Sequence, residues 1–244
     1  MKFLFRFVWI IPLCLLCGCS YNSGRLAPVE SVYDAQNINS GYYQVRSGDS
    51  LYSISWAYGL DFRDLARWNG LKSPYRLYVG QRLKLTSSNG SKVNKPSTRH
   101  TKKSSRKTKS HLSSKIKRAV RFKGPWYWPV KGKVVRSFQS RFGGNHGIDI
   151  KGEYNARVRA SAAGKVVYSG AGVRGYGNLI IIEHSPSVLS AYAYNRVTLV
   201  KVGQQVKAGS SIARMGRNLD GSPMLHFEIR VNGKPVNPRS YLKG

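Results

Sequence analysis

The 244-residue chain has room for one or two domains and carries 41 Lys and Arg against 10 Asp and Glu, a formal net charge of +31. That balance points to polyanionic surroundings: nucleic acid, anionic lipid or an acidic polymer. All three cysteines (Cys14, Cys17, Cys19) lie near the N-terminus, which excludes a disulfide framework or a thiolate metal site in the rest of the chain.

Lys2 and Arg6 precede the apolar run from Phe7 to Leu16, which is too short to span a bilayer and reads as the h-region of a signal peptide over residues 1–18. The run ends in Leu16-Cys17-Gly18-Cys19 and resembles a bacterial lipobox, with Cys19 as the lipidated first residue of the mature chain. Ser20 after that cysteine resembles the sorting pattern for the outer membrane. An ordinary cleaved signal peptide is the competing reading. Either way the chain is exported, so nucleic acid is not the expected partner despite the charge. Residues 19–41 are polar and aperiodic, a flexible tether spanning about 27 Å.

Tyr43-Gln44-Val45-Arg46 predicts a short strand, followed by a turn at Ser47-Gly48-Asp49. Asp49 or Ser50 can cap a helix with Leu51, Ile54, Ser55 and Tyr58 on one face and Gly59 as its end. Asp61 caps a second helix carrying Phe62, Leu65, Ala66 and Asn69, and Gln81 to Leu85 predicts a closing strand. The pattern is a small two-layer βααβ unit over residues 42–86. YQVRSGDSLYSIS, DLARWNGL and VGQRLKL in this order resemble a LysM domain. That resemblance implies binding of peptidoglycan glycan strands in a groove formed here by Gly48, Asp49, Ser50, Leu51 and by Asn69, Gly70, Leu71. Asp49 and Asn69 have the alternative of merely capping and ending helices.

Residues 87–124 are rich in Lys and Arg among Ser, Thr and Asn, with no acidic residue. They predict a disordered basic linker of about 34 Å span. Beyond joining two domains, such a segment is attracted to anionic headgroups or wall carboxylates. His100 and His111 within it are too isolated to be ligands.

Residues 125–244 alternate short strands such as GKVVYSG, NLIIIEH, LSAYAY, QQVKAG and LHFEIRVNG with glycine turns, and no helix pattern emerges. An all-β antiparallel sheet is expected, with Val166, Val167, Ile180, Ile182, Phe227 and Ile229 in its core. WPVKGKVV, GIDI, AAGKVVYSG, GYGNLIIIEH, LSAYAY, VKVGQQVKAG and LHFEIR resemble a LytM-type, lysostaphin-like peptidase domain. Active members of that family are zinc endopeptidases. They take ligands from H-x-G-x-D and from the second His of H-x-H, and catalytic histidines from the first position of H-x-H and the end of Y-x-H. Three ligands and an open water position activate the nucleophile, and a nearby base moves protons.

Carried onto this chain, the first motif reads Asn145-His146-Gly147-Ile148-Asp149, with asparagine where the ligand histidine belongs. On an extended strand, residues 145, 147 and 149 face one way and His146 the other; a tight turn would break that parity and is the alternative that lets His146 substitute as a ligand. Met224-Leu225-His226 keeps the ligand but has a thioether at the catalytic position, and Tyr192-Ala193-Tyr194 ends in a phenol. Two ligands, Asp149 and His226, remain, and no catalytic histidine does. A degenerate, non-catalytic domain without metal or cofactor is expected. His184 reads as a packing residue at the end of a strand.

The combination of lipobox, LysM, basic linker and degenerate LytM domain, with GGNHGIDI and VRGYGNLIIIEH, is similar to the NlpD-type murein hydrolase activators. That resemblance implies an outer-membrane lipoprotein which faces the periplasm. It would bind a periplasmic N-acetylmuramoyl-L-alanine amidase and activate it for septal wall cleavage, with Asn145, Asp149, Tyr194, Met224 and His226 as the docking groove. The alternatives are a zinc endopeptidase with unusual ligands and a non-regulatory tether between envelope and wall.

Overall fold

The computed structural model describes residues 41–87, 124–141 and 143–243. The signal segment, the lipidation site Cys19, the tether up to residue 40 and the linker from 88 to 123 lie outside the described residues.

The first unit runs β1 (Tyr42–Gln44), α1 (Leu51–Ala57), α2 (Phe62–Trp68) and β2 (Arg82–Lys84), with β1 and β2 antiparallel. Ser50, rather than Asp49, caps α1 in a capping box with Ser53. Gly59 follows the helix at φ +63°, the left-handed conformation that ends a helix at little cost for glycine. Asp61 caps α2 by accepting from the Arg63 amide at 2.9 Å. Leu51, Ile54, Leu65 and Leu83, each under 3% exposed, form the interior expected from the helical spacing.

The second unit is a sheet built from β3 (Lys133–Arg136), β4 (Ile148–Lys151), β5 (Arg157–Arg159), β6 (Gly164–Gly170), β7 (Asn178–Ser185), β8 (Val188–Thr198), β9 (Gln205–Val206), β10 (Ser211–Arg217), β11 (Pro223–Val231) and β12 (Lys234–Val236). Its strand order is β3-β4-β11-β10-β8-β7-β6-β9, with β12 beside β11, β5 beside β10 and an added β11–β8 pairing. The pairings between its named strands are antiparallel. A single 3-10 turn, Pro238–Ser240, is its helical element among the described residues.

Alternation divides the strands between two faces. Ile148, Ile150, Val166, Ile180, Ile182, Tyr192, Leu225, Phe227 and Ile229 fill the sheet's own core, together with Trp126 and Met215. Leu179, Ile181, Leu189, Ala191 and Ala193 point the other way, into a second cluster shared with Leu51, Ile54, Trp56, Phe62 and Leu65 of the first unit. The two units are thus packed together. Val167 is buried as expected, on the opposite face of β6 from Val166 and so in the shared cluster.

Candidate functional site

The register of β4 against β11 sets Asp149 directly opposite His226, and the register of β11 against β8 sets His226 opposite Ala193. Met224, His226, Glu228 and Arg230 therefore follow one another on one face of β11, the face turned away from the sheet core. A polar chain runs along them. His226 Nδ1 lies 2.5 Å from Asp149 Oδ1, and its Nε2 lies 3.0 Å from Glu228 Oε1. Glu228 also accepts from Tyr176 Oη at 2.8 Å and from Arg230 Nε at 3.0 Å. Arg136 adds an ion pair to Asp149 at 3.4 Å.

Asp149, His226, Glu228 and Arg230 are all at most 8% exposed. Burial alone would lower the histidine pKa, but the hydrogen bonds to Asp149 and Glu228 and their charges outweigh it and raise it. For Glu228 burial raises the pKa, and the Arg230 charge and the His226 hydrogen bond more than reverse that. The stable assignment is an imidazolium between two carboxylates, with guanidinium groups at either end. Three positive groups meet two negative ones, so the cluster satisfies its own charges in a setting where an unpaired charge would be costly.

The other groove positions surround this chain. Tyr194 has φ +62°, which turns its ring toward His226 at a centroid separation of 5.9 Å. Burial and then the Asp149 charge raise its pKa, so the phenol stays protonated. Met224 lies 3.9 Å from the Asn218 amide nitrogen. Asn145 is 7% exposed, and its amide faces the carbonyls of Arg136 and Ser137 at 3.5 and 3.4 Å. The expected extended strand through residue 145 does not form: β4 starts at Ile148, because Gly143 (φ +70°) and the Gly144–Arg141 hydrogen bond make a turn. The sidedness nonetheless holds at Gly147, where a Cβ would meet Glu228 Cγ at 2.8 Å. His146 is half-buried and makes no hydrogen bond to the cluster.

These residues do not fit a zinc ion. Asp149 and Glu228 occupy opposite ring nitrogens of His226, so no point is within ligand distance of all three. Arg136 places a cation on the carboxylate that would have to bind the metal. Among the described residues no group of three His, Cys, Asp or Glu is placed to hold one. His184 is a packing residue: its Nδ1 faces the Ala163 carbonyl and its Nε2 the Ser190 hydroxyl, both at 2.7 Å. Burial lowers its pKa to about 4, so it stays neutral.

The seven LysM positions divide by exposure. Gly48 and Gly70 are exposed turn glycines, and Ser50 and Leu71 are half-buried. Asp49 is spent internally, accepting from Tyr43 Oη and the Arg46 amide at 2.7 Å each. Asn69 donates to Leu65 and Lys84 carbonyls and accepts from the Lys84 amide at 2.7 Å, tying α2 to β2. Leu51 is 1% exposed, so its side chain belongs to the interior. Sequence reasoning missed Glu228, Arg230, Tyr176, Arg136 and Trp56. A usable signal existed for the first two, since LHFEIR places charges at every second position after His226.

Similarity to known proteins agrees with this layout. The LysM domain family matches residues 43–86, and Peptidase family M23 matches residues 143–238. The chain is 40% identical over 229 residues to the "Uncharacterized lipoprotein YgeR" of Escherichia coli K12, covering 93% of this chain and 88% of that one. It is 39% identical over 233 residues to "Outer membrane antigenic lipoprotein B" of Histophilus somni, covering 86% and 69%. It is 36% identical over 272 aligned positions to the "Murein hydrolase activator NlpD" of E. coli K12, covering 86% and 72%. With a LysM domain followed by an M23 domain, and identity at this level across most of both chains, the protein belongs to the NlpD/LppB family of lipoproteins.

Proposed function

We propose that this chain is a non-enzymatic activator of a periplasmic N-acetylmuramoyl-L-alanine amidase. It is anchored in the outer membrane through lipidated Cys19, faces the periplasm and is held on peptidoglycan by its LysM domain. In this reading it acts in septal wall cleavage, and the groove of Asn145, Asp149, Tyr194, Met224 and His226 engages the amidase.

The observation that carries the reading is the closure of the M23 site on itself. His226 is held between Asp149 and Glu228, with both ring nitrogens in use, so it offers neither a metal ligand nor a free base. Tyr194 and Met224 add no group that shuttles protons near neutral pH. What remains is a buried floor of paired charges suited to recognition. A relative named a murein hydrolase activator supports a role in wall regulation rather than hydrolysis, and one named an outer membrane antigenic lipoprotein supports the anchor.

Dye release from labelled peptidoglycan tests this. The chain alone should release nothing, and the chain with an amidase should release more than the amidase alone. Release by the chain alone would establish a hydrolase, and no effect in either arrangement would leave only a tether.

A further inference from the structure

We propose that the LysM domain has a second function beside glycan recognition. Docked on the groove face of the M23 sheet, it covers the Glu228–Arg230 end of the groove and keeps a partner from full engagement until it is displaced. The proposal rests on the activator reading above.

The polar chain of the groove ends inside the LysM domain. Arg230, 4% exposed, pairs with Glu228 through one edge of its guanidinium and donates from Nη1 to the Trp56 carbonyl at 2.6 Å. That carbonyl belongs to the last turn of α1, where it also accepts from the Gly59 amide at 3.2 Å. The same guanidinium lies 3.7 Å from the centroid of the Trp56 ring, a cation–π contact out of water. Trp56 itself is 2% exposed. Around this contact Leu179, Ile181, Leu189 and Ala191, all at most 6% exposed, are buried against LysM side chains. Without the dock they would form a contiguous apolar patch of the kind that marks an interaction site.

The hairpin between β11 and β12 completes the contact. Arg63 Nη2 donates to Asn232 Oδ1 at 2.7 Å. Gly233 approaches the LysM backbone so closely that a Cβ there would stand 2.5 Å from the Asp61 nitrogen. The obstacle is backbone, so it cannot rotate away. The Gly48 turn of LysM sits at the rim of the same contact, its carbonyl 3.8 Å from where a Cβ on Gly172 would be.

A wedge at Gly233 tests the proposal without touching the groove. Gly233 has φ +73°, and asparagine is the side chain that best tolerates this region, so Gly233→Asn keeps the hairpin turn while pushing LysM away. Gly221→Asn is the matched control, because Gly221 has φ +77° and open space around its Cβ position. Small-angle scattering of the full-length chain should show a larger radius of gyration for Gly233→Asn than for wild type or Gly221→Asn. In dye release with an amidase, Gly233→Asn should activate roughly tenfold more strongly at limiting concentration, as expected when a minor open state becomes dominant. An unchanged radius would overturn the docked arrangement. An increased radius with unchanged or weaker activation would overturn the covering role. No activation by any of the three chains, with the radius still increased, would instead overturn the activator reading.

Discussion

His226 shares its two nitrogens between Asp149 and Glu228, and its protonation state is the quantity on which the site's chemistry turns. Its folded pKa, about 9, lies above the 6.5 of an ordinary histidine. The stabilisation from these ion pairs is therefore complete below pH 6.5 and is lost as the pH rises through about 9. Imidazole nitrogen shifts of the full-length chain should give a His226 titration midpoint above about pH 8. A midpoint near 6.5 would show that the carboxylates do not hold the ring as described. The resemblance to a LytM-type domain, rather than spacing, nominates Asn145, Asp149, Tyr194, Met224 and His226; of these, strand register sets Asp149 opposite His226, and the Tyr194 ring lies 5.9 Å from that imidazole. Glu228 and Arg136 escaped notice because their roles depend on which strand lies beside which. Asn69 and Leu51 show that a motif position can also serve the domain's own hydrogen bonds or interior.

At the scale of elements, alternation and turn glycines located β6 at the predicted residues and β7, β8 and β11 within a few residues of their ends. The strands are long and β-branched, and the turns need glycine. Gly147 shows how tightly β4 is held to β11: a Cβ there would stand 2.3 Å from the Phe227 carbonyl oxygen. Gly147→Ala should destabilise the domain by about 3 kcal/mol, because backbone rather than a side chain must yield. Thermal or denaturant unfolding of the full-length variant checks this, and a change within about 0.5 kcal/mol would mean that the strands are not packed so closely. The turn over residues 143–147 was the exception to the strand reading. Gly143 and Gly144 at its start permit a reversal that breaks strict alternation, although residues 147 and 149 still face the groove.

At the scale of the whole molecule, the sequence separates two domains by a long basic segment and contains no local sign that they touch. Trp56 falls outside the face formed by Leu51, Ile54, Ser55 and Tyr58, and Arg230 lies 174 residues further along the chain. Only their pairing shows that a helix of the LysM domain completes the environment of the M23 site. In the proposed activator reading the chain works through contact rather than hydrolysis, with a protonated imidazole between two carboxylates and a guanidinium at either end. Its most direct test is the zinc content of the purified full-length chain after equilibration with zinc and removal of the excess. The account predicts far less than one zinc per chain and no difference for His226→Ala. One zinc per chain that disappears in His226→Ala would contradict it.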